Sequence, residues 1–159
     1  MRPSLSRRRS RKPSTARWRT DSGSLTYRKA DIRPYEADDE AVLFGLASLD
    51  RGADERTLAV LERETVFVAE VEGSPAGYVA LERAERAVRV DQLFVSPEHQ
   101  AEGIGRQLLE FAEGYAIWEG AELLQVVVEA GNERALAFYR GRGFTRAGND
   151  LLELRLPQR

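Results

Sequence analysis

The chain has 159 residues, 42% apolar and 31% charged, which suits one globular domain with a core of ordinary size and excludes a wholly disordered protein. It has no cysteine and a single histidine, His99, which excludes disulfides, thiolate metal sites and a histidine-built zinc cluster, so no metal is expected. No apolar run approaches the roughly 20 residues of a membrane span, so no membrane partner is expected and the expected location is the cytoplasm.

The formal net charge of −2 hides a division. Of 24 basic and 26 acidic groups, eight basic ones (Arg2, Arg7, Arg8, Arg9, Arg11, Lys12, Arg17 and Arg19) fall in residues 1–20, which hold no acid. The other 139 residues therefore carry 16 basic groups against 26 acidic ones, a net of −10. Residues 1–22, rich in Ser and Arg and without apolar period, cannot offset their ordering entropy and read as a disordered tail, with the domain at 23–159. Ser10, Arg11, Lys12 and Pro13 follow Arg7-Arg8-Arg9 where a twin-arginine export signal needs an apolar stretch. Salt-dependent contact with nucleic acid is one reading of the tail; a dispensable segment, or an upstream start, is the other. Met1 is the only methionine, so no internal one marks another start.

Along the domain, Leu25–Lys29 reads as a first strand, and Asp38–Leu49 and Asp54–Glu64 as short helices with acidic starts. Thr65–Val71 and Ala76–Glu82 read as strands around a Glu72-Gly73-Ser74-Pro75 hairpin turn, and Val88–Val95 as the next strand. A Ser96-Pro97 turn then leads to Gln100-Ala101-Glu102-Gly103-Ile104-Gly105 and a helix from Gly103 to about Trp118, with Ile104, Leu108, Phe111, Ala112 and Tyr115 on one stripe. A strand at Gln125–Glu129 follows, within an apolar run that begins at Leu123. Asn132 is placed as the N-cap of a helix carrying Ala135, Phe138 and Tyr139, Gly143-Phe144 as its exit, and two strands run through Leu156. No internal repeat is present.

The strand, the glycine-spaced loop and the helix start together make an anion site from backbone alone. The first N–H groups of a helix lack intrahelical partners, and the dipole adds about half a positive charge there, which suits a phosphate or pyrophosphate. Arg106-Gln107 after Gly105 excludes the Gly-Lys-Ser/Thr of a P-loop, and Gln107-Leu108 leaves no third glycine for a dinucleotide fingerprint.

What remains, Gln-x-x-Gly-x-Gly after a strand and turn, resembles motif A of the GNAT superfamily of N-acetyltransferases. Asn132 to Phe144, with Ala135, Tyr139 and the closing Gly143-Phe144, resembles its motif B. The resemblance covers roughly residues 24–156. It implies an α/β fold with a mixed, splayed central sheet of about six to seven strands flanked by about four helices. The implied activity transfers an acetyl group from acetyl-CoA, the cosubstrate, to a primary amine of a small molecule or peptide, by direct attack in a ternary complex.

By the same resemblance, the backbone of Leu93, Phe94 and Val95 would bind the pantetheine amides of acetyl-CoA. Gln100, Ala101, Glu102, Gly103, Ile104, Gly105 and Arg106 would hold the pyrophosphate. Asn132 would cap its helix and touch the cofactor, and Tyr139 would act as general acid toward the leaving thiolate, with a core aromatic as its other reading. His99 reads as surface packing. Relatives that acetylate histones carry a glutamate as the base at the place of Arg89, on the fourth strand, and ribosomal-protein relatives carry one at the place of Val127, on the fifth. Neither position is acidic here, so Glu129, which shares strand parity with Val127, and Asp91, on the cofactor strand, are the candidate bases, with a water relay as the alternative. Holding a lysine-like amine neutral at pH 7.4 costs about 4 kcal/mol, which a base would lower.

The acidic domain favours a cationic acceptor such as a polyamine, an aminoglycoside-like amine or a basic peptide end, with Asp50–Asp54 as a candidate rim. A second reading is a catalytically silent CoA-binding regulatory module whose basic tail contacts nucleic acid. Edge strands of this fold pair across subunits in many relatives, which makes a homodimer an open alternative to a monomer. Acceptor, base and oligomeric state are not fixed by the sequence.

Overall fold

The protein is described by a computed structural model covering residues 27–51 and 55–158. The basic tail, the start of the expected first strand and residues 52–54 of the expected acceptor rim lie outside the described residues. The elements in chain order are β1 (Asp31–Pro34), α1 (Glu40–Arg51), α2 (Glu55–Arg63), β2 (Thr65–Val71), β3 (Ser74–Ala84), β4 (Ala87–Val95), α3 (Ile104–Trp118), β5 (Leu123–Val127), α4 (Glu133–Gly141), β6 (Thr145–Arg146) and β7 (Leu151–Arg155). Among the described residues the strands form a 7-stranded sheet in the order β1-β2-β3-β4-β5-β7-β6. It is mixed, as expected: β4 and β5 run parallel, while β1 with β2, β5 with β7 and β6 with β7 are antiparallel. The β4–β5 ladder runs from Ala87↔Leu123 to Val90↔Val126, and β4 continues beyond it to Val95.

Two expected strands are corrected. Among the described residues the first strand is Asp31–Pro34, with Asp31 opposite Glu70 and Pro34 opposite Phe67, and residues 27–29 of the expected Leu25–Lys29 strand form none. The backbone of Arg28 and Ala30 is held by the loop after β4 and by a side-chain amide, not by a strand. The fifth strand is Leu123–Val127 and stops before Glu129, whose carbonyl accepts the Asn132 N–H in the turn leading to α4. Strand parity with Val127 therefore does not extend to Glu129.

The chain falls into two compact units, the residues through Ala80 with Leu93–Phe111, and Leu81–Gln92 with the residues from Ala112. In the first, Leu43 and Ala47 of α1 and Leu61 of α2 pack with Val66, Val68, Tyr78, Ala80 and Phe94 of the strands. The expected stripe of α3 is buried at Ile104 and Leu108 here, while Phe111 is half-buried and stands 4.6 Å from the Phe67 ring. Gly77 is required by close packing, because a Cβ there would collide with the carbonyl oxygen of Phe94. Arg33 grips both carboxylate oxygens of Asp39 at 2.9 Å and Glu70 at 2.7 Å, while Asp39 also accepts the Glu36 N–H at 2.7 Å.

In the second unit, Val88, Val90, Leu124, Val126 and Leu152 are buried sheet residues, and Ala112 and Ala116 are the buried positions of α3. The end of α3 closes on Gly120 (φ 82), with the Gly120 N–H bonded to Ile117 and the Ala121 N–H to Ala116. That pair of bonds satisfies carbonyls which a helix end would otherwise leave open.

Candidate active site

The loop after β4 is built within the first unit. Ser96 is buried; its N–H donates to the Ala76 carbonyl at 2.7 Å, and its own carbonyl accepts the His99 N–H at 2.9 Å, forming a short 3-10 turn over Pro97–His99. The Gln100 amide donates back to the Val95 carbonyl at 3.1 Å. Ala101 (φ 67) and Gly103 (φ 83) both take the left-handed conformation, which a residue with a Cβ adopts at a cost of about 1–2 kcal/mol. His99 Nδ1 stands 2.9 Å from Glu102 Oε1, so the histidine serves the loop's own packing.

Helix α3 then begins at Ile104, and the Gln107 N–H is bonded to the Gly103 carbonyl at 3.2 Å. The N–H groups of Ile104, Gly105 and Arg106 precede it and have no acceptor inside the helix. The two glycines have different reasons. Gly103 is demanded by its φ, and a Cβ would also lie 3.0 Å from the Tyr27 ring. A Cβ on Gly105 would make only ordinary contacts, 3.6 Å to Val95 and 3.8 Å to Leu93. The fold therefore has room for a Cβ at Gly105, and its bare Cα leaves the helix start open to close approach by a ligand. Leu93 and Val95 point toward Gly105 from one face of β4, and Phe94 is buried on the other. The Arg106 guanidinium is paired with Glu110 at 3.2 Å, an exposed contact weak enough to exchange for an anion.

Gln107 was not singled out from the sequence. Its Oε1 accepts the Ala30 N–H at 3.0 Å, and its Nε2 donates to the carbonyls of Arg28 at 2.6 Å and Gly103 at 3.2 Å. The Arg28 N–H adds a bond to the Glu102 carbonyl at 2.8 Å. The only signal was a polar residue just before the buried Leu108-Leu109 pair, and two of its partners, Arg28 and Ala30, lie more than seventy positions away in the chain.

In the second unit Asn132 caps α4, accepting the Ala135 N–H on its side-chain oxygen at 3.2 Å. Tyr139 is 8% exposed, with its ring between Phe138 at 5.1 Å and Phe144 at 5.5 Å, both edge-on. Burial pushes its phenol up to about 12, so the hydroxyl stays protonated across the neutral range. Among the described residues, nothing hydrogen-bonds that hydroxyl.

Residues 25–144 match the pattern of the Acetyltransferase (GNAT) family. The chain belongs to the GNAT acetyltransferase family. It is 32% identical over 92 residues to an uncharacterised N-acetyltransferase of Archaeoglobus fulgidus, a match spanning 54% of this chain and 63% of that relative's length. Its fold is similar to the ribosomal-protein-S18-alanine N-acetyltransferase of Escherichia coli, with a TM-score of 0.69 and 23% identity over 81% of this chain and 94% of the other. It is also similar to the PaiA N-acetyltransferase of Thermoplasma acidophilum, solved in complex with coenzyme A, with a TM-score of 0.68 and 18% identity over 80% of this chain and 99% of the other.

Within this GNAT domain the positions weighed as bases differ in their surroundings. Arg89 lies between Glu82 at 2.9 Å and Asp91 at 3.2 Å, so Asp91 is engaged in an ion pair. Desolvation works against the Arg89 charge, but the two carboxylates outweigh it and hold the guanidinium above its ordinary value. Val127 is 44% exposed at the end of β5. Glu129, just beyond it, is exposed, and its carboxylate has no ion-pair partner among the described residues.

Proposed function

We propose that this GNAT protein is an acetyl-CoA-dependent N-acetyltransferase that acetylates a primary amine of a small molecule or peptide by direct attack in a ternary complex. The observation that carries the reading is the loop from Gln100 to Arg106, where two left-handed residues aim the chain into a helix start and Gly105 keeps it bare. The donor set is backbone N–H, which suits the pyrophosphate of acetyl-CoA, and the strand end Leu93–Val95 offers main-chain groups to the pantetheine arm. When bound, acetyl-CoA supplies a thioester whose acyl carbon the amine attacks.

Tyr139 donates a hydrogen bond to the departing sulfur. With the phenol near 12 and a thiol near 8.5, complete proton transfer is uphill by about 5 kcal/mol, so the hydroxyl acts first by stabilising the thiolate. It transfers the proton outright only where binding lowers that gap. Of the two candidate bases we favour Glu129 for taking the ammonium proton, directly or through water, because Asp91 is paired with Arg89. Asn132 serves the helix first and the cofactor through the end of α4 that it fixes. The domain's net negative charge supports a cationic acceptor, which it would draw in by steering.

The test is calorimetry with acetyl-CoA and CoA on the full chain and on a Gly105→Val variant, followed by thiol release with pooled primary amines. Binding by the wild type that the folded variant loses, with thiol release, supports the reading. A folded wild type that binds neither nucleotide defeats it, and binding without release over a broad amine panel favours the silent CoA-binding module.

A further inference from the structure

We propose that Gln107 is the positioning residue of the phosphate loop, presetting the backbone donors that precede helix α3. The inference rests on the acetyl-CoA reading above but assigns a role that the glycine motif does not contain. The half-buried Gln107 amide uses its oxygen on Ala30 and its nitrogen on both Arg28 and Gly103. The Gly103 carbonyl thereby receives two donors, the Gln107 backbone N–H and side-chain Nε2, each at 3.2 Å.

A planar peptide unit makes this bond consequential. The carbonyl of Gly103 and the N–H of Ile104 belong to one plane, so fixing the first aims the second. The same holds one residue earlier: the Glu102 carbonyl is held by the Arg28 N–H at 2.8 Å, which aims the Gly103 N–H. Arg28 itself is fastened by Gln107 through its own carbonyl at 2.6 Å. One side chain thus controls two successive peptide planes at a glycine, the residue with the most backbone freedom to lose. Donors fixed before the ligand arrives need no ordering when it binds, and that is where their affinity arises.

The experiment compares wild type, Gln107→Leu and Gln107→Glu for binding of CoA, which carries the pyrophosphate, and of pantetheine, which does not, well below each unfolding midpoint. Gln107→Glu keeps an acceptor for Ala30 but turns a carboxylate toward two carbonyl oxygens, so it remains informative if Gln107→Leu fails to fold. The expected result is a rise of about tenfold or more in the Kd for CoA in both folded variants, with pantetheine binding unchanged. A CoA Kd within about twofold of wild type overturns the proposal, and so does an equal loss for both ligands, which marks general loosening. A wild type that binds no CoA defeats the functional reading itself, and that arm separates the two failures.

Discussion

Phe144 closes helix α4 on Tyr139 twice, through its N–H to the Tyr139 carbonyl at 3.2 Å and through its ring, edge-on at 5.5 Å. Gly143, at φ 98, makes the reversal that allows both, and its own N–H bonds to Arg140 at 3.0 Å. A helix-ending motif and the packing of the proposed catalytic phenol are therefore one feature. Phe144→Ala removes a buried ring and is expected to cost about 3–5 kcal/mol in a urea melt. In the folded fraction, turnover should fall as well, because the Tyr139 ring loses one of its two aromatic walls.

Tyr139→Phe separates chemistry from packing. The ring contacts survive, and the substitution removes a hydroxyl that nothing among the described residues bonds, so the melting temperature should change little. Turnover with acetyl-CoA should fall by about 10–100-fold at unchanged acetyl-CoA affinity. Full turnover in the variant would remove Tyr139 from the mechanism.

The same phenol predicts a pH dependence of stability. Its folded value is raised to about 12 from an ordinary 10, so its contribution is intact below pH 10 and disappears as pH climbs from 10 through 12. The full loss is on the order of 3 kcal/mol by linkage. Chemical denaturation of wild type and Tyr139→Phe between pH 9 and 12 reads it, with the variant expected to lose less over that window.

The two loop glycines should respond in opposite ways. Gly103→Ala meets a positive φ and the Tyr27 ring, so it should destabilise the protein by about 1–2 kcal/mol. A Cβ at Gly105 meets only ordinary contacts, so Gly105→Ala should leave the melting temperature little changed while acetyl-CoA binding weakens by about tenfold. Paired thermal melts and calorimetry check both.

Arg33 and Asp39 form a largely buried ion pair in the first unit, with side-chain exposures of 13% and 9%. Arg33→Met leaves Asp39 without its bidentate partner and should cost about 2–4 kcal/mol, with little effect on CoA affinity in the folded protein. Burial raises the Asp39 carboxyl, but the Arg33 guanidinium and the Glu36 N–H outweigh it and hold the value below the ordinary carboxylate range. That stabilisation is present above the unfolded value and is lost as pH falls through the folded one, so wild type should lose more stability than Arg33→Met on acidification.

The elements legible before folding are those that carry local signals. Thr65–Val71 is strand β2 as read, the Gly103 turn opens α3, Asn132 caps α4, and Gly143-Phe144 ends it. Each depends on residues within a few positions of one another, through side-chain period, a cap or a left-handed glycine, and the GNAT resemblance rests on the same local patterns. Partnerships across long stretches of chain emerge only from packing. Strand β1 sits at Asp31–Pro34 because it pairs with Glu70 through Phe67, although its own four residues alternate poorly. Asp91 is tied up because Arg89 lies on its face of β4 with Glu82 beyond it. Gln107 finds Arg28 and Ala30 only once α3 is packed, and no period or spacing encodes a hydrogen bond between groups that distant in sequence. Local conformation is written residue by residue, whereas a buried polar group takes whichever partner folding brings within about 3 Å of it.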